Sequence, residues 1–379
     1  MKHLKANIQK ASARKDRARK DRARKDSIIG WAFVAPYAVI MFAFLLYPFM
    51  KGVWISFHDW NLLEVAFNPD AKTFIGLDHY QKLLFPRRWH FDVTQLWYLR
   101  LPLLCLIAYM AWRWVTQRRV SVSKVLILVS ALFIVVFVLG VGTDSHFRMG
   151  DRRFWQSVIH TLEFVALTVP SITVLALMLA MKLNKPTRLS AVMRTIFFGT
   201  QVLSVTVVTL IWQMMYSPQQ GFIANILHSF SITPPSWLTD ESLAMPALVI
   251  TTVWWSLGFA LVVFLSGLQA IPEDRLEAAR LDNARGWRLT WYIVLPSIRR
   301  TTSFVVVMLI VLHFQVFGQS HLMTSGGPSD RTQVLVRYIY QTAFRDSEVG
   351  YASAMAMILF ALMLFFSLLH MRLSKTGGE

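Results

Sequence analysis

Apolar residues fall along the chain in eight long stretches separated by polar ones: roughly 28–49, 97–116, 125–143, 158–181, 195–216, 244–270, 303–323 and 351–371. A helix crossing a bilayer needs about 20 apolar residues. In lipid, an isolated segment satisfies all of its backbone polar groups only as a helix. The pattern therefore predicts an all-α polytopic membrane protein with about eight transmembrane helices. The second stretch is the weakest, because Arg100 and Arg113 leave twelve uncharged residues between them. It spans only if both arginines snorkel toward opposite headgroup regions.

Composition agrees with the pattern. The chain is 55% hydrophobic and 16% charged, against about 25% charged for a soluble domain. No Lys or Arg occurs between Arg194 and Arg275. The net charge of +18 raises nucleic acid as a partner, but most basic residues lie between apolar stretches, as a membrane protein requires. No nucleic-acid partner is expected. The single cysteine, Cys105, excludes an intrachain disulfide and any cysteine zinc site.

Charge also predicts topology. Eight spans put both termini on one side. With that side as cytoplasm, 27 of the 39 Lys and Arg are inside and 12 outside, so both termini are expected in the cytoplasm. Loops 117–124, 182–194 and 271–300 are then cytoplasmic too. Residues 1–28 hold eleven Lys or Arg against three Asp, and 13–26 repeat a five-residue basic unit. This segment is too polar for a core, and its charge favours an anionic cytoplasmic leaflet. The apolar stretch after it is too long for a cleaved signal peptide. Trp54, Trp60, Trp155, Tyr216, Trp237, Trp291 and Tyr292 lie near span ends, as an interfacial aromatic belt does.

The loop 271–300 is unusual. Pro272 suits a helix start, and Glu273 and Asp274 fall in the first turn, where the helix dipole favours acids. Glu277, Ala278, Ala279, Arg280 and Leu281 are good helix formers. Asp282 and Asn283 favour a turn, and asparagine tolerates the left-handed conformation. A second amphipathic stretch, 287–293, leads to Leu295, Pro296 and the next span. The expectation is a short cytoplasmic helix, a turn and a second helix, with the small Ala278 and Ala279 on the exposed surface. Such a surface suits close approach by another protein, or a helix lying on the membrane.

Glu277-Ala278-Ala279 followed by Ile293, Leu295 and Pro296 resembles the "EAA" signature of ABC importer permeases in identity and spacing. Asn283 stands where that family usually has glycine, and Gly286 follows. Further resemblance to its carbohydrate branch, related to the maltose, glycerol-phosphate and oligosaccharide permeases, is carried by several segments. These are Phe74-Ile75-Gly76-Leu77-Asp78-His79-Tyr80, Phe154-Trp155 with His160-Thr161-Leu162, Leu322 through Pro328, Ile339-Tyr340, Ala343-Phe344 and Gly350 through Ala354. Together they cover roughly 30–86 and 151–371.

The resemblance implies a non-catalytic permease of the bacterial inner membrane, with a six-helix core. Glu277, Ala278, Ala279, Asp282, Asn283 and Gly286 would couple it to an ATPase. It also implies partners: a second permease subunit, two ATPase subunits that bind ATP and magnesium, an extracytoplasmic sugar-binding protein and a sugar. The chain would need no cofactor or metal of its own.

The expected organisation is a basic segment 1–28, a first core helix with its external segment 29–86, an inserted two-helix hairpin 87–150, the permease core 151–372 and a tail 373–379. The hairpin leaves the downstream topology unchanged and is expected to face lipid or another subunit. No G-x-x-x-x-G-K-[ST] phosphate loop occurs, so the chain is not expected to be the ATPase. A sugar pathway needs polar groups and aromatics near mid-membrane. His313, Gln315 and Gln319, with Gln213 and Tyr216, are the candidates, and Gln315 and Gln319 would share one helix face. Each could instead form helix–helix hydrogen bonds. His160 and Glu163 would form a gate or a structural pair. Two other classes carry different signatures. A secondary transporter would show intramembrane acids for ion coupling, which the later spans lack. A membrane glycan enzyme would show paired acids or a metal motif near the interface.

Overall fold

The computed structural model describes residues 31–85 and 151–375. The hairpin 87–150 and the basic segment 1–28 lie outside these. The first described helix, α1 (Trp31–Ile55), carries a short π-helical turn at Phe42–Leu46. A two-stranded antiparallel ribbon follows, with β1 (His58–Asp59) paired to β2 (Thr73–Phe74). Between and after the strands lie α2 (Leu62–Phe67) and α3 (Asp78–Leu84). The core elements are α4 (Arg152–Leu183), α5 (Arg188–Gly199), α6 (Val205–Tyr216), α7 (Phe222–Ser229), α8 (Ala244–Gln269), α9 (Glu273–Leu281), α10 (Trp287–Ser297), α11 (Arg299–Phe314), α12 (Leu335–Tyr340) and α13 (Val349–Lys375).

Four of these helices, α1, α4, α8 and α13, are long and apolar enough to cross a membrane, and two bent pairs qualify if each is one span. Two expected spans need correction. The stretch 195–216 belongs to a pair bent by 106° between α5 and α6. The cause is local: Ser204 caps α6, its hydroxyl accepting from Val207 N at 3.4 Å, and Leu203 is extended. The stretch 303–323 is not one helix, because α11 ends at Phe314 and a separate π-helical turn occupies Ser320–Thr324.

The core lies where α4 crosses α8 and where α11 packs on α4 and α13. Ile172, Ala176 and Ala180 of α4 meet Leu257, Ala260, Leu261 and Phe264 of α8, with Val305 and Leu309 of α11 and Met355 and Leu359 of α13 completing it. Small residues let backbones approach closely, as in membrane bundles. At Gly258 a Cβ would overlap the Phe197 carbonyl of α5. Buried hydroxyls are satisfied within their own helices: Thr168, Thr251 and Thr252 donate to carbonyls four residues back at 2.7–2.9 Å. α1 is peripheral. It touches α13 through Phe49 and Phe360, with ring centroids 5.3 Å apart, and exposes Phe33, Tyr37, Phe42 and Phe44. A helix apolar all round suits lipid.

One carboxylate organises the end of the bundle where α4 begins. Asp151 Oδ1 caps α4 by accepting from Arg153 N and Phe154 N at 2.9 and 3.1 Å. Its Oδ2 accepts from the hydroxyls of Tyr338 and Tyr351 at 2.5 and 3.1 Å. Burial first, then the bond to this carboxylate, push the Tyr338 phenol above its ordinary range. Asp151→Ala removes the cap and both tyrosine bonds, so we expect a loss of about 2–4 kcal/mol. Thermal unfolding in lipid nanodiscs measures it. Asp151→Asn, which keeps an acceptor, should lose less.

Candidate functional site

Two ends of the bundle carry polar chemistry. At one end α8 runs out into α9, whose first turn holds Glu273 and Asp274. The helix closes with a backbone bond from Ala284 N to Ala279 O at 2.9 Å. Asn283 adopts the left-handed conformation at φ 59°. This is the geometry usually given to a glycine after a helix, and it is the turn expected from Asp282-Asn283. Gly286 also has positive φ, at 53°, with open space around it, and it leads directly into α10.

Glu277, Ala278, Asp282, Asn283 and Gly286 are exposed. Ala279 is not. It is 6% exposed, which corrects the expectation that both alanines face outward. In a helix, adjacent residues point about 100° apart, so with Glu277 and Ala278 outward Ala279 turns toward the body. The outer face of this end is also apolar: Leu281, Trp287 and Tyr292 are 88%, 73% and 77% exposed. Trp287 and Trp291 meet edge to face at 5.2 Å. A shallow recess of about 240 Å³ lies beside α9, lined by Arg275, Tyr292, Ile293, Pro296 and Ser297. Exposed aromatic patches of this kind mark contact surfaces for protein or lipid.

The interior candidates separate. His313 is buried, and its Nδ1 lies 2.8 Å from the Leu309 carbonyl. Its ring faces Phe164 at 6.1 Å, so it is enclosed between helices. Gln213 Nε2 donates to the Leu322 carbonyl at 2.7 Å, and Tyr216 Oη donates to the Ala247 carbonyl at 3.1 Å. Both groups tie helices together. Gln315 and Gln319 do not share a helix face, which corrects the expected spacing. The helix stops between them, with Gln315 exposed and Gln319 buried. Gly318 explains the break: a Cβ there would overlap the Val205 side chain, so the chain must cross closely over the start of α6.

At the opposite end His160 and Glu163, expected as a gate or a structural pair, form no ion pair with each other. Glu163 instead holds Arg331 through two bonds of 2.7 Å, joining α4 to the loop before α12. About a third of each side chain is exposed, so water discounts the pair despite its bidentate geometry. Thr161 adds a tie, its hydroxyl accepting from Leu335 N at 2.8 Å. Sequence reasoning missed Asp151, Arg331 and Arg337 here. One signal was available for Arg337: it is a lone charge in the apolar run Val334-Leu335-Val336-Arg337-Tyr338-Ile339-Tyr340. Beneath β1 and α3, a recess of about 550 Å³ is lined by Asp59, Glu64, His79, Lys82, Asp151 and Glu348, among others.

Residues 139–376 match the family described as "Binding-protein-dependent transport system inner membrane component". The probable ABC transporter permease protein YurN of Bacillus subtilis is 27% identical, over 93% of this chain and 98% of that protein. The sn-glycerol-3-phosphate transport system permease protein UgpA of Brucella suis is 32% identical over 57% of this chain and 74% of its own length. The diacetylchitobiose uptake system permease protein NgcF of Streptomyces coelicolor is 29% identical over 63% of this chain and 72% of its own length. Among solved structures, a bacterial ABC transporter that imports the acidic polysaccharide alginate matches with a TM-score of 0.64. It is 18% identical, with 94% of this chain and 98% of that one covered. At that identity the likeness is one of fold.

Proposed function

The chain belongs to the family of binding-protein-dependent transport system inner membrane components, and from that premise we propose that it forms half of the pathway of an ATP-driven sugar importer. Relatives named for glycerol phosphate and diacetylchitobiose support a sugar or sugar-like solute. Proteins of this family are transport components, and ATP hydrolysis belongs to a partner ATPase.

The observation that carries the reading is α9. It is short, capped, exposed at Glu277 and Ala278, and rooted between α8 and α10–α11. An ATPase cleft that takes this helix would gain a charge at Glu277, close approach at Ala278 and apolar contact at Leu281. Movement of the ATPase would then pass into α8 and α11, which pack on α4 in the core. Asp282, Asn283 and Gly286 shape the turn rather than bind. ATP on one side and a loaded binding protein on the other each favour a different state of the bundle. A second permease subunit would complete the pathway. Of the pathway candidates, Gln315 is exposed, its amide held by a weak bond to Met363 Sδ at 3.6 Å, and would be the first to meet solute. Gln319 would follow it, while His313, Gln213 and Tyr216 position helices.

The reading places α9 and both termini in the cytoplasm of a bacterium, with α3 and α12 outside. Cysteine labelling tests this, with Cys105 first replaced. A cysteine at Ser236 should react with an impermeant maleimide in intact cells, and one at Asn184 should be protected. The reverse pattern would sink the orientation. Affinity purification of the chain should bring an ATPase with it, and its absence under mild detergent would count against the function.

A further inference from the structure

Arg337, on α12, is 7% exposed. Its Nε is fully enclosed with no hydrogen-bond partner. No carboxylate among the described residues lies within ion-pair distance of it. The nearby acids are already engaged: Glu163 holds Arg331, and Asp330 lies 3.6 Å from Arg153. Asp346 and Glu348 lie toward Tyr338 and Tyr351 instead. Asp330 attracts Arg337 from beyond ion-pair distance, and Arg345, a further cation, repels it. A buried charge with no anion in contact is unfavourable, so the guanidinium is left to take a further anion.

The surroundings are polar and closely packed. Gly326, at φ 81°, lies against the guanidinium. A Cβ there would overlap both Arg337 Nη1 and Gln333 Oε1. Gln333 Oε1 is itself buried and unsatisfied, as is His321 Nδ1. The His321 ring feels the charges of Arg337 and Arg345 and joins an aromatic strip. It stacks on Phe317 at 4.8 Å and meets Tyr340 edge-on at 5.2 Å. Tyr340 in turn contacts Phe344 at 5.1 Å, and Phe344 is 68% exposed. Arginine beside aromatic rings matches a molecule with an acid at one edge and C–H faces at another.

We propose that this end of the chain carries an acid-recognition site, in which Arg337 takes the carboxylate of a sugar acid whose ring lies against Tyr340 and Phe344. The site rests on the reading of the chain as a sugar-importer subunit and narrows its substrate class to acidic sugars. An anionic lipid headgroup offers the same charge, and the test separates the two.

The test captures the full complex through a tag on this chain and places it in phosphatidylcholine nanodiscs. Unfolding temperature is then followed against D-glucuronate and against D-glucose. Glucuronate should raise it in a concentration-dependent way, and glucose should not. Arg337→Gln should weaken the glucuronate response about tenfold or more, the worth of a charge-assisted hydrogen bond. Arg337→Lys should retain part of it. Without ligand, Arg337→Gln should unfold at the wild-type temperature or higher, because it removes a buried charge that no anion contacts. A lower unfolding temperature, or failure of this variant to fold, would make Arg337 structural and overturn the site. So would equal responses to glucose and glucuronate, no response to glucuronate, or a response unchanged in Arg337→Gln. Stabilisation by phosphatidylglycerol that needs Arg337, without a glucuronate response, would assign the charge to lipid and also overturn it. Retention of the ATPase on the same tagged complex reports separately on the importer reading.

Discussion

Reversing the charge of Glu277 with lysine is expected to abolish stimulation of the ATPase by the loaded binding protein, while the permease still inserts and folds. Glu277 is exposed on α9 and lies outside both clusters of the buried core, so the bundle has little to lose. A docked ATPase has much to lose. Truncating one partner of an interfacial charge pair costs about 2–5 kcal/mol, and reversal adds repulsion. Ala278→Trp tests the same contact through shape. Ala278 faces outward, and a large ring there should hold the cleft off. Leu281→Ala should have a smaller effect. The measurements are retention of the ATPase on washed membranes and hydrolysis in proteoliposomes. Normal values for both Glu277→Lys and Ala278→Trp would remove α9 from the coupling role.

The second large effect is structural. Gly258→Leu is expected to cost about 3 kcal/mol or more, the upper end for overpacking. A side chain at 258 would meet the backbone of Phe197 and Phe198, and backbone yields less easily than a side chain. The same junction is tied by Thr200 Oγ1 donating to the Trp255 carbonyl and Trp255 Nε1 donating to the Leu203 carbonyl, each at 3.2 Å. Forcing α8 and α5 apart would break both bonds and release the bend into α6. Gly199 supplies the control. Nothing lies within 4 Å of a Cβ there, and its φ is helical. Gly199→Ala should therefore be neutral or stabilise by about 0.5–1 kcal/mol. Unfolding in nanodiscs should separate the two variants.

How much of this was legible beforehand differs by element. The long helices α4, α8 and α13 follow from hydropathy, because lipid leaves an apolar segment one way to satisfy its backbone. The left-handed turn at Asn283 was also legible, since few other residues adopt that conformation cheaply. The bends were not. Leu203-Ser204 sits inside an unbroken apolar run, and hydropathy does not register a capping serine that stops and restarts a helix. The break after Phe314 depends on Gly318 crossing Val205, a contact between segments more than a hundred residues apart. That contact moved Gln315 and Gln319 onto different surfaces. The burial of Ala279 depends on how α9 rolls against the bundle, which local propensity leaves open. Glu163 was placed at its span end, but its partner Arg331 comes from a distant loop.

The central claim is that α9 is where an ATPase meets this chain. A photoreactive benzoylphenylalanine at Leu281, which is 88% exposed at the end of α9, tests it most directly, with a second probe at Phe74 on the opposite end as comparison. On irradiation of the assembled complex, the probe at 281 should form a covalent adduct with the ATPase, and the probe at 74 should not. An ATPase adduct from position 74, with none from position 281, would contradict the account.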